Sequence, residues 1–462
     1  VSQMYPGTTN EALTISALDQ ALGPMFVPQN PDGSYVMYPT DIRGVGVGKG
    51  RGAILTYDNN KHNINNRTLA LSNTLELTPL KGLSLKATYN ISNYNRLYKD
   101  RNQAASHSRV IGQVITNTSY SKDEYRERHY DYTVHSVDAV ASYNHTWKNA
   151  HFFNVLAGMN YEQKRTTDLT VDQFGVGSKN LNTFNSVTDD TYYQIAQDIT
   201  AYKTLGFFAR VNYNYKEKYL FEASMRADGT SRFASNHRWG YFPSASAGWR
   251  FSKEQFLSSA KSWLSDGKMR ISYGSLGNQQ VSDYLYMQTI STSTLGYLFD
   301  ENGKPKTSRV SAPMSSSLTW ETVKTYNAGL DLSFLKGRLN FTGDLFVRKT
   351  EDMLTTSLTL PSVYGAATPT ENCADLRTDG WEIAISWKDD FKLGSKPFQY
   401  GITATLGDYI TKITKFNNPD KIFSNYYEGK TLGEIWGYHV PRLFKSDEEA
   451  AEERVTLVHP FG

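Results

Sequence analysis

The chain has one cysteine, Cys373, among 462 residues. That count excludes an internal disulfide framework, and Cys373 reads as an unpaired thiol in a loop rather than a nucleophile. Long apolar runs are also missing: none approaches the ~20 residues that a spanning helix needs. With a mean hydropathy of −0.52, a helical membrane protein is excluded. A barrel is not, because its strands present only alternate side chains to lipid. Charge of one sign is absent too. The 49 basic and 46 acidic residues leave a formal charge of +3 with no Lys/Arg block, which gives nucleic-acid binding no support. The chain opens on VSQMYPGTTN, without an initiator Met or a basic leader, and stops at VHPFG. A fragment of a longer protein is expected, so the lack of a signal peptide carries no information about compartment.

Aromatic residues are plentiful, at 13% with 31 Tyr. They are organised most clearly between Phe207 and Phe251. Phe207, Ala209, Val211, Tyr213 and Tyr215 alternate with Phe208, Arg210, Asn212, Asn214 and Lys216. Tyr219, Phe221, Ala223, Met225 and Ala227 repeat the pattern against Leu220, Glu222, Ser224, Arg226 and Asp228 after a turn at 216–218, and a third strand runs through Tyr241, Ala245, Ala247 and Trp249. The period of two predicts an antiparallel hairpin plus one strand, with one apolar face and one polar face. A soluble sandwich would share that period. Two features favour a membrane wall: Tyr and Trp gather at both strand ends, as rings do at lipid–water interfaces, and Arg210, Glu222, Arg226 and Arg250 lie on the face that a lumen would hydrate.

Taken in order, residues 1–65 read as a long loop with at most short strands, because Pro6-Gly7, Gly23-Pro24, Pro31-Asp32-Gly33 and the glycine-rich Gly44–Gly52 break any pattern. Residues 66–410 hold about twelve alternating segments, with polar loops expected over 95–130, 166–196, 276–318 and 350–378. Ser252 and Gln255 have the spacing of a capping box and predict a short helix ending near Trp263. Residues 411–462 read as an external loop segment with a helix started by Ser446 and Glu449. Connections are short at one end of the strands and long at the other, the asymmetry of outer-membrane barrels. A propeller would need a repeat of about 40 residues, and none is present.

The run KEKYLFEASMRADGTSRFASNHRWGYFPSASAGWRFSKEQF closely resembles the signature region of the SusC/RagA family, TonB-dependent outer-membrane transporters of Bacteroidetes. MRISYGSLGNQ at 269–279, LTWETVKTYNAGLDLSFLKGRLNFTGDLFVRKTEDML at 318–354, NCADLRTDGWEI at 372–383 and EGKTLGEIWGYHVPRLFKSDEE at 428–449 follow in the family's order. The resemblance implies a partial antiparallel transmembrane β-barrel, about 12 strands of a 22-stranded wall, with short periplasmic turns and long extracellular loops. It implies an N-terminal plug that this chain lacks, a SusD-like surface lipoprotein, coupling to TonB, ExbB and ExbD through the missing N-terminal part, and import of oligosaccharides or peptides across a Gram-negative outer membrane. HVPRLF lacks a glycine often found after the family's Gly-Tyr pair. A passive porin or a surface adhesin built on the same barrel is the alternative.

No catalytic or cofactor constellation stands out, so no enzyme is expected. His135, His145 and His151 lack metal-ligand spacing. Asp32-Gly33 and Asp228-Gly229 are turn signals without further acidic ligands, and Gly44–Gly50 lacks the Lys-Ser/Thr pair of a phosphate cradle. Arg226, Asp228, Arg232 and Arg238 read as a charge ladder that organises wall and loop. Sugar faces stack on exposed aromatic rings, which makes the loop tyrosines Tyr297, Tyr364, Tyr426 and Tyr427 the candidate substrate contacts, by location.

Overall fold

The computed structural model describes residues 2–6, 35–36, 61–102, 105–108, 114–117, 124–175, 183–186, 193–294, 306–310, 317–356, 363, 368–422, 425–435 and 446–448. Within them lies a single-layer antiparallel sheet of thirteen strands. Twelve are long: β1 (Lys61–Leu80), β2 (Leu83–Asn102), β3 (Glu124–Trp147), β4 (His151–Phe174), β5 (Tyr193–Tyr215), β6 (Tyr219–Thr230), β7 (Trp239–Trp249), β8 (Leu264–Asn278), β9 (Glu321–Phe334), β10 (Leu339–Thr356), β11 (Thr370–Leu393) and β12 (Lys396–Lys415). Each pairs with the next in sequence, and Ser2–Pro6 covers part of the free edge of β1. The expected strand number and order are therefore both found.

Short turns join alternate pairs at one end. Lys148 and Asn149, and likewise Lys216 and Glu217, adopt positive φ, which matches the right-handed twist of the strands they connect. Asn214 helps by accepting from the Glu217 N–H at 2.8 Å. The expected capping-box helix at 252–263 is instead a pair of 3₁₀ turns, Phe251–Lys253 and Gln255–Ser262, with no side-chain cap. The reason is competition: Ser252 donates its hydroxyl to Asp266 at 2.7 Å rather than capping a helix.

The long-connection end differs from expectation in extent. β2 runs to Asn102 and β3 begins at Glu124, so much of the predicted 95–130 loop is strand; β4 and β5 likewise continue into 166–196, and β10 and β11 into 350–378. Alternation fails there because both faces meet water, whereas main-chain pairing carries on. Tilted strands need only about 9–11 residues to span a membrane. Strands of 24 residues such as β3, β4 and β11 therefore stand well clear of it. The same extension places Cys373 in β11, half-buried, its thiol 3.6 Å from the Thr355 carbonyl, not in a loop. The strand region starts at Lys61 and ends at Lys415, slightly wider than 66–410. Asp447 and Glu448 are helical after Ser446, while Glu449 lies outside the described residues.

The two faces of the wall follow the predicted alternation. Leu69, Leu71, Leu75, Phe221, Met225, Ile271, Leu345, Ile385, Ile402 and Leu406 are all exposed, and among the described residues no second layer covers them. A water-soluble sandwich would bury that face. Trp147, Tyr215, Tyr219, Trp249, Trp263 and Phe334 crowd the short-turn end, with rings in contact such as Trp263 against Phe334 at 5.9 Å. The apolar stripe between aromatic rims is a lipid-facing belt. The opposite face carries a charge lattice: Arg270 on β8 reaches Asp331 on β9 at 3.1 Å and Asp344 on β10 at 2.6 Å, and Asn327 donates to Asp344 at 3.0 Å. Gly329 leaves the space that the Arg270 guanidinium fills.

Candidate functional site

The largest buried apolar cluster among the described residues sits at the long-connection end on the polar side of the wall. Phe233, Phe242, Leu318 and Trp320 are each nearly inaccessible. Phe242 breaks the alternation of β7 by placing an aromatic ring among polar neighbours. Room for it comes from Gly240 and Gly277, where any Cβ would overlap the ring. Trp320, just before β9, packs edge-on against both Phe242 at 5.4 Å and Phe233 at 5.7 Å. Its indole donates to the Arg238 carbonyl at 2.9 Å. Asn372 at the start of β11 closes the knot, accepting from the Thr319 N–H at 2.9 Å and donating to the Thr319 carbonyl at 3.0 Å. Three segments singled out in the sequence, around 219–249, 318–354 and 372–383, thus meet at one point of the mouth.

The charge ladder is part of the same assembly. Arg226 donates to Asp228 at 2.6 and 2.8 Å. Arg232 in the β6–β7 loop lies 4.1 Å from the centre of the Tyr202 ring and donates to Asp283 at 2.9 Å. Arg238 donates to the Phe233 carbonyl at 3.2 Å. Every one of these cations holds a local partner, so the ladder fixes the loop to the wall, as the sequence suggests.

Beyond the knot, the inner face of β2–β4 is tiled with rings and cations. Tyr94 stacks on Tyr132 at 4.9 Å, Arg96 lies over Tyr94 and Tyr98, Arg128 over Tyr98 and Tyr130, and Lys164 over Tyr132. Farther out, burial pushes the Tyr125 hydroxyl up, reinforced by its hydrogen bond to Glu127 at 2.6 Å. Arg96, Tyr98, Tyr125, Arg128 and Tyr130 fall inside the expected 95–130 loop, and Tyr94, Tyr132 and Lys164 lie beyond the segments whose alternation was read, so none of them stood out in the sequence. The spacing Tyr94-x-Arg96-x-Tyr98 beside Arg128-x-Tyr130-x-Tyr132 was the available signal.

Of the predicted substrate contacts, Tyr297 and Tyr364 lie outside the described residues. Tyr426 is exposed, its ring edge-on to Phe416 at 5.8 Å. Tyr427 is buried; its hydroxyl donates to Glu434 at 2.9 Å and Lys430 lies over its ring. The structure does not bring Tyr426 and Tyr427 to the tiled wall. Asp32-Gly33 and Gly44–Gly50 also fall outside the described residues. His135 and His151 share hydrogens with Tyr89 and Tyr213, each at 2.9 Å, and His145 stacks on Tyr143. No His/Cys/Asp/Glu group able to hold a metal occurs among the described residues.

Comparison with known proteins agrees with the fold and with the resemblance of the sequence. Residues 14–443 match the family described as TonB dependent receptor-like, beta-barrel. TonB-dependent receptor P39 of Formosa agariphila is 28% identical over 82% of this chain and 35% of its own length. TonB-dependent receptor SusC of Bacteroides thetaiotaomicron is 34% identical over 53% of this chain and 24% of its own length. The RagAB peptide transporter superimposes with a TM-score of 0.69 at 22% identity, covering 84% of this chain and 41% of that one, which establishes likeness of fold. The chain thus spans about a quarter to a third of the length of the curated relatives it matches, and those relatives are receptors rather than enzymes. With the match running through nearly all of the strand region, the chain belongs to the TonB dependent receptor-like β-barrel family of Gram-negative outer membranes.

Proposed function

We propose that this chain is the wall of a transporter that imports oligosaccharides, or peptides, across the outer membrane of a Bacteroidetes-like bacterium. It works with a SusD-like surface lipoprotein and draws energy through TonB, ExbB and ExbD. The observation that carries this reading is the mouth: a polar, aromatic-tiled inner wall above a lipid-facing belt, with its loop tied back by the Phe233–Phe242–Leu318–Trp320 knot so that the entrance stays open. Tyrosine rings edged by guanidinium groups offer both stacking area and hydrogen-bond donors, which suits polyhydroxylated or amide-rich ligands. The long strand extensions supply a surface on which a lipoprotein could cap the entrance. Tyr426, and Tyr297 and Tyr364 with it, are proposed as further loop contacts, and Tyr427 as the residue that shapes their support.

The test uses the full-length gene. Deletion should abolish growth on one oligosaccharide or peptide as sole carbon source while leaving growth on glucose unchanged. Growth equal to wild type on every substrate tried would count against import. A passive porin on the same wall would keep its uptake in a strain without TonB, whereas the proposed transporter would lose it. Alanine at Tyr426 with unchanged ligand affinity would remove that residue from the proposal.

A further inference from the structure

The outer face of β9–β12 carries an arrangement that transport does not explain. Lys324, Lys349, Arg377 and Lys412 are direct cross-strand partners in one register row, Lys324 opposite Lys349, Lys349 opposite Arg377 and Arg377 opposite Lys412. They share the parity of Tyr326, Val347, Asp379 and Ile410, and so project from the lipid-facing side. Side chains directly opposite in an antiparallel pair stand about 5 Å apart, and like charges there repel. Four cations abreast are therefore unfavourable unless something anionic sits among them. Two have a carboxylate: Lys324 meets Glu351 at 2.5 Å and Arg377 meets Asp379 at 2.8 Å. Lys349 and Lys412 have none among the described residues.

Immediately towards the short-turn end of this row, the same face opens into an apolar groove of about 810 Å³. Its floor is made of small residues, Ala245, Ala247 and Ala328, and its walls of Phe221, Tyr273 and Trp381. Small side chains flanked by rings leave an apolar depression on the lipid-facing side. Tyr273 and Tyr326, in contact at 5.1 Å, stand between the groove and the cations, at the depth where aromatic rings mark the edge of the hydrocarbon.

We infer that this face is a binding site for a phosphate-bearing lipid of the outer leaflet, its phosphate held by Lys349 and Lys412 between Lys324 and Arg377 and an acyl chain lying in the groove. The geometry of the row supports a phosphate because Arg377 offers a planar fork and the lysines offer point charges to several oxygens at once. Position supports a lipid, since the cations lie on the wall's outer surface at headgroup depth, where juxtamembrane basic clusters attract anionic headgroups. The lumen is on the other side of the sheet, so a transported substrate does not reach this row.

The experiment is native mass spectrometry of the delipidated full-length protein in detergent. It is titrated with bis-phosphorylated lipid A, with the same lipid A stripped of phosphate, and with inorganic phosphate alone. The protein should retain one phosphorylated lipid at least tenfold more strongly than the dephosphorylated one, with no adduct from inorganic phosphate. K349E/K412E should lose that tenfold preference, and Ala328→Leu, which fills the groove, should lower retention of both lipids; heat-modifiable migration of each variant on a gel confirms that it has folded. Equal retention of the two lipids would overturn the inference. So would retention unchanged in both variants, a full response to inorganic phosphate, or a lipid-free dimer whose interface protects the groove. Were K349E/K412E not to fold, K349Q/K412Q decides by the same criteria.

Discussion

The indole of Trp320 donates to the carbonyl of Arg238 at 2.9 Å across 82 residues of sequence, and that bond ties the start of β9 to the loop between β6 and β7. The same carbonyl also accepts from the Thr230 N–H at 3.2 Å, so removing the indole donor leaves it one bond rather than none. Trp320→Phe keeps the ring contact with Phe242 and should cost about 0.5–1.5 kcal/mol, the net worth of one hydrogen bond. Trp320→Ala also empties the cluster and should cost about 3–5 kcal/mol. Denaturant unfolding of the full-length protein in detergent gives the two values. Limited proteolysis should show the 229–238 loop cut faster in both variants, more so in Trp320→Ala.

Adjacent residues on one strand should respond in opposite ways to the same charge. Leu406 on β12 is 67% exposed on the apolar face, and Thr405 beside it is on the polar face, opposite Ala384. Leu406→Arg should destabilise the folded protein by about 2–4 kcal/mol in phospholipid vesicles, the cost of a cation near the bilayer midplane. Thr405→Arg, hydrated by the lumen, should change stability by less than about 1 kcal/mol. Urea titration of folding into vesicles measures both.

Glu254, between the two 3₁₀ turns beyond β7, accepts hydrogen bonds from Lys218 at 2.9 Å, Tyr219 at 2.8 Å and the Trp249 indole at 3.3 Å. The Lys218 bond, with those from Tyr219 and Trp249, holds its carboxyl below the usual range. A depressed folded pKa means the carboxylate's contribution is fully present above the unfolded value of about 4.3. It is lost as pH falls through the folded value. Glu254→Gln should therefore melt below wild type at pH 7, and the gap should close as the pH is taken below about 4. Thermal melts at stepped pH check this; a gap that stayed constant down to pH 3 would assign the difference to packing.

What the sequence made legible depended on where each residue meets its solvent. Phe221, Ala223 and Met225 meet hydrocarbon while Glu222, Ser224 and Arg226 meet water, and that contrast prints a period of two. Arg96 and Tyr98 lie among Asn95, Lys99 and Asp100, where neither face is consistently apolar, so their strand leaves no such mark even though the main chain pairs as regularly as before. The 3₁₀ turns after β7 escaped for a different reason. Ser252 and Gln255 satisfy the spacing of a capping box, but Asp266, distant in sequence, takes the Ser252 hydroxyl. The mouth knot was partly visible: Phe242 and Trp320 lie in stretches whose resemblance to a family stood out, yet nothing local says that rings 78 positions apart meet. The row Lys324, Lys349, Arg377 and Lys412 needs the strand register, which no single segment contains.

The account rests on β9 presenting Tyr326, Ala328 and Leu330 to lipid and Thr325, Asn327 and Asp331 to the lumen. Single cysteines at these six positions, in full-length protein with Cys373→Ser, can be tested in vesicles with a charged maleimide and with a fluorophore quenched by nitroxide lipids. Alternation is the predicted result: rapid maleimide reaction at 325, 327 and 331, and lipid quenching confined to 326, 328 and 330. Equal maleimide reactivity along the strand, or an even-numbered set shielded from both water and lipid by protein, would contradict it.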